Sequence, residues 1–439
     1  MPSNTRPELP LLCLALLLAG CRSAPHSTPE PAADATAIGR DVRFLASDAL
    51  DGRRTGTPGN DSAAAYLERR LQASGLQPLT SLLEQCRSDG ERSECAHGYS
   101  QPFVARPATP HADVRLPTRN VVATVPGRDP ALRGQYVVLG AHFDHLGSSS
   151  EGALDTGTAI RNGADDNASG TAALLALAQR LARRPMARSA IVAFFSGEEQ
   201  GLLGSAYFVQ NSPVPLDSMV AMVNFDMVGR LRNDRLIVYG VETARELRAI
   251  LDSANGGPTR LRLAAVGDGF GPSDHSSFYA KGIPVLHFFT DLHEDYHRAT
   301  DDPEKLDLQG IVRVVDYAEA VVRSIGNRRE RLTPVRIAAP APAPSARTGS
   351  QAYLGTIPDM AASEIVGLRL TGVRPGSPAD LAGLREGDVV VELGGAAVKD
   401  LASYSEALYS HQPGDTVTIV FLRGTERKSV RVVLGRRGQ

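Results

Sequence analysis

The chain has 439 residues, 42% of them apolar and 22% charged, with 47 basic against 49 acidic residues and a formal charge of -2. That length implies two or three domains, each large enough to bury its own core. The even charge balance gives no electrostatic case for nucleic acid or an anionic membrane surface, and no apolar run outside the amino terminus is long enough to span a bilayer.

Residues 1–21 place Arg6 ahead of the short apolar run Leu11 to Leu18, which reads as a secretory signal. Residues 22–36, rich in Ala, Pro and Ser, suit a flexible tether. From Ile38 the pattern turns helical. Val42, Phe44, Leu45 and Leu50 predict a first helix and Asp61 to Leu76 a stronger one, with Asp51 to Gly59 as a loop between them. A polar insertion then carries Cys86 and Cys95. In an exported chain this pair predicts a disulfide, closing a loop of about ten residues and contributing roughly 2–3 kcal/mol. Metal binding by the two is the weaker alternative, since no second Cys pair lies near.

Beyond the insertion, short apolar runs alternate with helical patterns: Val121 to Val125, Tyr136 to Leu139, Ala168 to Leu181, Ile191 to Phe195, Met219 to Phe225, Leu236 to Tyr239, Val241 to Leu251, Pro284 to Phe289 and Ile311 to Ile325. This rhythm predicts an α/β domain over residues 37–327, with a mostly parallel central sheet flanked by helices. The near-continuous apolar runs fit strands buried on both faces. Residues 328–350 hold a Pro/Ala stretch and read as a linker; residues 351–436, rich in Val, Leu and Gly, read as a small β-rich domain.

Chemistry gathers around Gly163-Ala-Asp-Asp-Asn-Ala-Ser-Gly170. His142-Phe143-Asp144 ends one apolar run, Glu198-Glu199 and Asp226 follow two others, and Tyr296-His297 comes last. Each alone has a plain explanation: a lone His is more often structural, and paired carboxylates favour helix starts. In an open α/β sheet, however, such positions converge at the carboxyl ends of the strands. Two His and three carboxylates there form a nitrogen and oxygen set suited to zinc. Ser169 and Ser196 lack the context of a nucleophile.

Three resemblances sharpen this reading. Leu18-Ala19-Gly20-Cys21 resembles the lipobox of bacterial lipoproteins, which implies acylation at Cys21 and, with Arg22 following, an outer-membrane anchor facing the periplasm. An unlipidated signal peptide with a chance Cys is the alternative. The pattern His142-x-Asp144, Gly163 to Gly170, Gly197-Glu198-Glu199, Asn224-Phe225-Asp226 and Tyr296-His297 resembles the two-zinc aminopeptidases related to bacterial leucyl aminopeptidases. The wider clan includes glutamate carboxypeptidase, glutaminyl cyclase and the transferrin receptor, and the likeness spans Ile38 to Ile325. It implies that Asp166 bridges two zinc ions, that His142 and Asp226 complete one site, and that Glu199 and His297 complete the other. It also implies that Asp144 orients His142, Tyr296 donates to the tetrahedral intermediate, Asp274-His275 line the pocket, and the peptide bond after Asp166 is cis. Zinc bound this way activates a water and polarises the scissile carbonyl, while Glu198 acts as general base. The implied function is a metal-dependent exopeptidase, an aminopeptidase acting on peptides with a free amino terminus. A single-zinc glutaminyl cyclase or a catalytically silent peptide-binding lipoprotein of the same fold are the alternatives. Residues 351–436 resemble a bacterial-type PDZ domain, with Leu354-Gly355-Thr356 in the loop that receives a peptide or protein carboxy-terminus.

Overall fold

The computed structural model describes residues 1, 35–79, 86–88, 93–95, 98–107, 114–149, 151–155, 157–256, 260–271, 273–336, 352–358, 366–373, 376–399, 403–404, 407–408 and 410–436. Residues 2–34, which include the rest of the signal sequence, Cys21 and most of the tether, and the Pro/Ala run lie outside the described residues.

Helices α1 (Ala35–Leu45) and α2 (Pro58–Ala73) come first among the described elements. The second begins earlier than its apolar pattern predicts. Thr57 caps it, its side chain accepting from the Asn60 N–H, and Pro58 takes the first helical position, where no N–H is needed. Strands β1 (Gln77–Pro78), β2 (Cys86–Ser88), β3 (Ser93–Cys95), β4 (Ser100–Ala105), β5 (Leu116–Val125) and β6 (Tyr136–His142) follow. The chain continues through α3 (Gly170–Arg183), β7 (Ser189–Phe195), α4 (Leu203–Gln210), β8 (Met219–Phe225) and β9 (Arg235–Tyr239). It closes this region with α5 (Leu247–Ala254), β10 (Arg262–Val266), α6 (His275–Tyr279), β11 (Val285–Phe289) and α7 (Leu308–Gly326). In the β2–β3 ribbon Cys86 stands opposite Cys95 in the antiparallel register, while both side chains lie outside the described residues.

The central sheet runs β1-β5-β7-β6-β8-β11-β9-β10, with β4 on the outside of β5. Strands β7, β6, β8 and β11 pair in parallel, as do β9 and β10. The β1–β5, β4–β5, β5–β7 and β9–β11 pairs are antiparallel. The sheet is therefore mixed around a parallel centre, where a mostly parallel one was expected. Parallel neighbours need a long crossover, and α3 and α4 supply it between β6, β7 and β8; β4 and β5 pair antiparallel. Strands buried on both faces read alike in either direction, so their apolar runs do not distinguish the two. Every residue of β7 and β8 is buried.

One face of the sheet packs through Val192, Phe194 and Val223 against Leu67 of α2, Leu174 and Leu177 of α3, and Val314 and Val321 of α7. The other packs through Val138, Ile191 and Met222 against Phe208 of α4 and Phe278 of α6. The run Val241 to Leu251 becomes helix only from Leu247, because the Thr243 hydroxyl donates to the Gly240 and Val285 carbonyls and turns the chain first.

Residues 328–336, expected to begin the linker, belong to this packed region. The buried Arg188 guanidinium donates to the carbonyls of Ile325, Arg328, Arg329 and Glu330, and Pro334 bridges to Ala244.

The last region comprises β12 (Ala352–Tyr353), β13 (Thr356–Pro358), β14 (Leu368–Val373), α8 (Pro378–Leu381), β15 (Val389–Leu393), β16 (Ala396–Ala397), β17 (Thr416–Arg423), β18 (Glu426–Val433) and β19 (Gly435–Arg436). Its antiparallel sheet runs β13-β14-β15-β17-β18 over a core of its own that includes Leu354, Leu370, Val390, Ile419 and Phe421. Among the described residues, no helix is long and apolar enough to cross a membrane.

Candidate metal centre

Because β7, β6, β8 and β11 are parallel neighbours, their carboxyl ends share one edge of the sheet. His142 is the last residue of β6, Asp226 follows β8 directly, Glu198 and Glu199 follow β7, and His297 lies on the loop after β11. Asp166 occupies the turn Ala164–Ser169 between β6 and α3.

That turn requires its small residues. Gly163 has φ +56°, and a Cβ there would lie 2.0 Å from the Asp166 carbonyl oxygen; at Gly170 it would lie 2.3 Å from Asn167 Oδ1. The Asp166–Asn167 peptide bond is cis, as the resemblance implied. Asn167 Nδ2 donates to the His142 carbonyl at 3.3 Å and the Phe225 carbonyl at 3.0 Å, joining the turn to the ends of β6 and β8. Its Oδ1 accepts from the N–H groups of Gly170 and Met227. Asp301 Oδ2 accepts from the Asp165 and Asp166 N–H groups at 2.9 and 3.0 Å. Asp165 turns to the backbone, its Oδ1 accepting from the Gly229 N–H at 2.7 Å. Asp166 is left facing the cluster.

The two oxygens of Asp166 point to different imidazoles. Oδ1 lies 3.3 Å from His142 Nε2, and Oδ2 lies 3.1 Å from His297 Nε2. His142 Nε2 is also 3.2 Å from Asp226 Oδ1, and His297 Nε2 is 3.2 Å from Glu199 Oε2. All five residues singled out in the sequence thus meet in one chain of contacts with Asp166 at its middle. His142, Glu198 and Asp226 offer donor atoms all within 4.8 Å of one another, and so do His145, Asp166 and Glu199.

Charge crowding governs the protonation of these groups. Burial opposes a charged His142, but Asp226 and Glu198 outweigh it and push its pKa well above the usual value. His297 rises to about 10, Glu199 and Asp166 overcoming burial. Burial opposes ionisation of Glu199, yet His297 and His145 hold it at about 2. Glu198 goes the other way: burial, with the Glu199 and Asp226 carboxylates, lifts it well above the carboxylate range against the pull of His142. The protein groups by themselves hold an excess of negative charge and draw protons onto two imidazoles, and divalent cations at this position would replace those protons. The donor set, imidazole nitrogens and carboxylate oxygens, fits zinc.

Other residues take places that the sequence did not reveal. Asp144 differs from its expected role. It is the backbone carbonyl of Asp144 that lies 3.2 Å from His142 Nδ1, its carboxylate being 3.8 Å away. That carboxylate instead accepts from the Thr55 hydroxyl at 2.9 Å and from the Glu198 N–H at 3.2 Å. It therefore holds the Glu198 backbone as well as flanking His142. The ring of Tyr296 stacks on His297 with centroids 3.8 Å apart, and burial together with Asp166 and Glu199 pushes its phenol well above 10. His145, overlooked in the sequence although it adjoins Asp144, places Nδ1 2.7 Å from Glu199 Oε1. Arg53, fully buried, donates to the carbonyls of Phe143, Leu45, Asn162 and Gly163, clamping the segments that carry His142 and Asp166. Only its setting in the loop Asp51 to Gly59 could have flagged it. Asp274 and His275 are buried outside both donor groups, with His275 stacked on His287 at 4.4 Å; burial raises Asp274 to about 7.

A mixed sheet with imidazoles and carboxylates at the carboxyl edge of its parallel strands is a fold shared with solved zinc exopeptidases. Residues 120–322 match the model of peptidase family M28, a family of zinc metallopeptidases, and residues 348–434 match that of the PDZ domain, towards the carboxyl end of the chain. It is similar to leupeptin-inactivating enzyme 1 of Streptomyces exfoliatus, 26% identical over 286 residues, an alignment covering 64% of this chain and 54% of that protein. The match thus spans about half of that relative's length. In fold it is similar to a Zn-dependent exopeptidase from Parabacteroides distasonis, with a TM-score of 0.54 and 19% identity, covering 68% of this chain and 99% of that one. A glutaminyl cyclase from Porphyromonas gingivalis shares the fold equally, with a TM-score of 0.52 and 18% identity over 66% of this chain and 98% of that one.

Proposed function

We propose that the chain is a two-zinc aminopeptidase that removes the amino-terminal residue of peptides. The observation that carries this is the Asp166 carboxylate, whose two oxygens face His142 and His297 separately, each imidazole backed by a further carboxylate. His142, Asp166 and Asp226 would hold one zinc; Asp166, Glu199 and His297 would hold the other. When bound, the two ions lower the pKa of a water and polarise the scissile carbonyl. Glu198 then serves as the base that takes the proton and passes it to the leaving amine. Its backbone tether to Asp144 and its place within 4.8 Å of the His142 and Asp226 donor atoms suit that work. Tyr296, held protonated beside His297, is assigned as donor to the tetrahedral oxygen.

The remaining readings rest on sequence. Cys21 is assigned to an acyl anchor facing the periplasm. Cys86 and Cys95 are assigned to a disulfide, consistent with their facing positions in the β2–β3 register. For the PDZ domain, the loop Leu354-Gly355-Thr356 leads into β13, which among the described residues pairs with β14 alone and leaves an edge to which a peptide strand can add. Gly355 has φ +85° and the Leu354 carbonyl accepts from the Ala379 N–H, so the loop is held from behind. A peptide carboxy-terminus is its proposed occupant.

The test sets aminoacyl chromogenic substrates beside amino-blocked, carboxy-terminal and amino-terminal glutaminyl peptides, with and without chelator. Chelator-sensitive release from free amino termini alone is expected, with two zinc equivalents per chain. Cyclisation of glutaminyl peptides with one zinc would establish the cyclase reading instead, and metal binding with no turnover would establish a silent receptor.

A further inference from the structure

His297 stands in a backbone conformation that a non-glycine residue rarely adopts, with φ +56°. Such a residue persists when its surroundings over-determine it. Here one loop does so, and it is remote in sequence. The loop is closed at its base by a bridge between Gly147 and Arg161, the Arg161 N–H donating to the Gly147 carbonyl at 3.0 Å. From it three hydrogen bonds reach the His297 segment. The Leu154 N–H donates to the His297 carbonyl at 3.0 Å. His297 Nδ1 lies 2.8 Å from the Gly152 carbonyl oxygen. The Ala299 N–H donates to Asp155 Oδ2 at 2.7 Å.

The second contact decides the tautomer. A carbonyl oxygen can only accept, so Nδ1 must carry a proton, and Nε2 is the nitrogen presented to Asp166 and Glu199. The third contact is anchored in turn. Asp155 Oδ1 accepts from Arg161 Nε at 2.6 Å, and Arg161, fully buried, also donates to the Ser149 and Ala159 carbonyls. A fully buried guanidinium needs such partners, which makes the Arg161–Asp155 pair the fixed post of the loop.

We infer that the 147–161 loop, through Asp155 and its buried partner Arg161, is the positioning element that presents His297 to the second zinc, so that these residues set the affinity of that zinc and leave the first untouched. The inference rests on the two-zinc reading above. Asp155→Asn tests it with little change of shape. Both partners of Asp155 are donors, and an amide has one oxygen to offer them, so one contact becomes donor against donor. Partners that orient a metal-binding His are worth about 10–100-fold in metal affinity. Zinc titration of the purified protein should therefore show one of two equivalents weakened by about that factor, the other unchanged. At limiting zinc kcat should fall and return on adding zinc, with KM for a short peptide unmoved. Glu151→Gln, in the same loop but paired only at the surface with Arg54, should leave both equivalents as they were. If Asp155→Asn does not fold, Arg161→Lys keeps the charge but loses donors to the Ser149 and Ala159 carbonyls, and should show the same selective loss. Equal weakening of both equivalents, or no weakening in whichever variant folds, overturns the inference. Fewer than two equivalents in the unaltered protein would instead overturn the two-zinc reading itself.

Discussion

Glu198 and Glu199 are adjacent, yet the geometry gives them opposite surroundings, and Glu198→Gln separates the consequences. Glu199 lies between His145 and His297, 2.7 and 3.2 Å away, which keeps it ionised. Glu198 sits at the end of β7 with its N–H on Asp144 Oδ1, and burial lifts its carboxyl upward. A glutamine fills the same space and keeps the backbone contact, but takes up no proton. Loss of a general base costs about 10²–10⁴-fold in rate, or roughly 3–5 kcal/mol of barrier. Glu198 is also close enough to His142 and Asp226 to be a ligand itself, all three within 4.8 Å, so the same substitution decides between two roles. Steady-state kinetics on an aminoacyl substrate and zinc content by atomic absorption are the assays. Two zinc equivalents, an unchanged KM and kcat lower by at least about 10² are expected. Glu199→Gln should lower zinc occupancy, with partial recovery on adding zinc. Loss of zinc from Glu198→Gln while Glu199→Gln kept it would exchange the two roles, and full activity in both would refute the two-metal assignment.

Two further outcomes follow from the chain's ends. Cys21→Ser should move the protein from the membrane fraction to the soluble periplasm; equal fractionation of variant and parent refutes acylation. Truncation near Thr348 should leave a folded protein with its full zinc content and activity on dipeptide-sized substrates, because residues 328–336 that pack on the peptidase core are retained. Loss of zinc binding would show that the PDZ region supports the metal centre.

What was legible in the sequence is the set of side chains that carry charge at the ends of apolar strands. His142, Asp166, Glu199, Asp226 and His297 each follow a strand or sit in a small-residue turn, and a parallel centre brings such positions to one edge. The PDZ segment was legible for a similar reason, since its Gly and Pro turns punctuate short Val and Leu strands. Strand direction at the flanks was not legible, because a strand buried on both faces is apolar whichever way its neighbour runs. Nor were Arg188's ties to residues 328–336, where a charged and proline-bearing stretch reads as linker until a buried cation is seen gathering its carbonyls. The residues around the metal centre divide along the same line. The carbonyls that Arg53 gathers, and those of Gly152 and Asp144, are backbone atoms that every residue type possesses, so no residue pattern announces them. The sequence determined which groups could hold the metals; only the tertiary structure decided which oxygen of Asp166 faces which imidazole and which nitrogen of His297 is presented, because the first depends on how the Asp166 turn is tied to Asp301 and the strand ends and the second on the Gly152 carbonyl brought in from a distant segment.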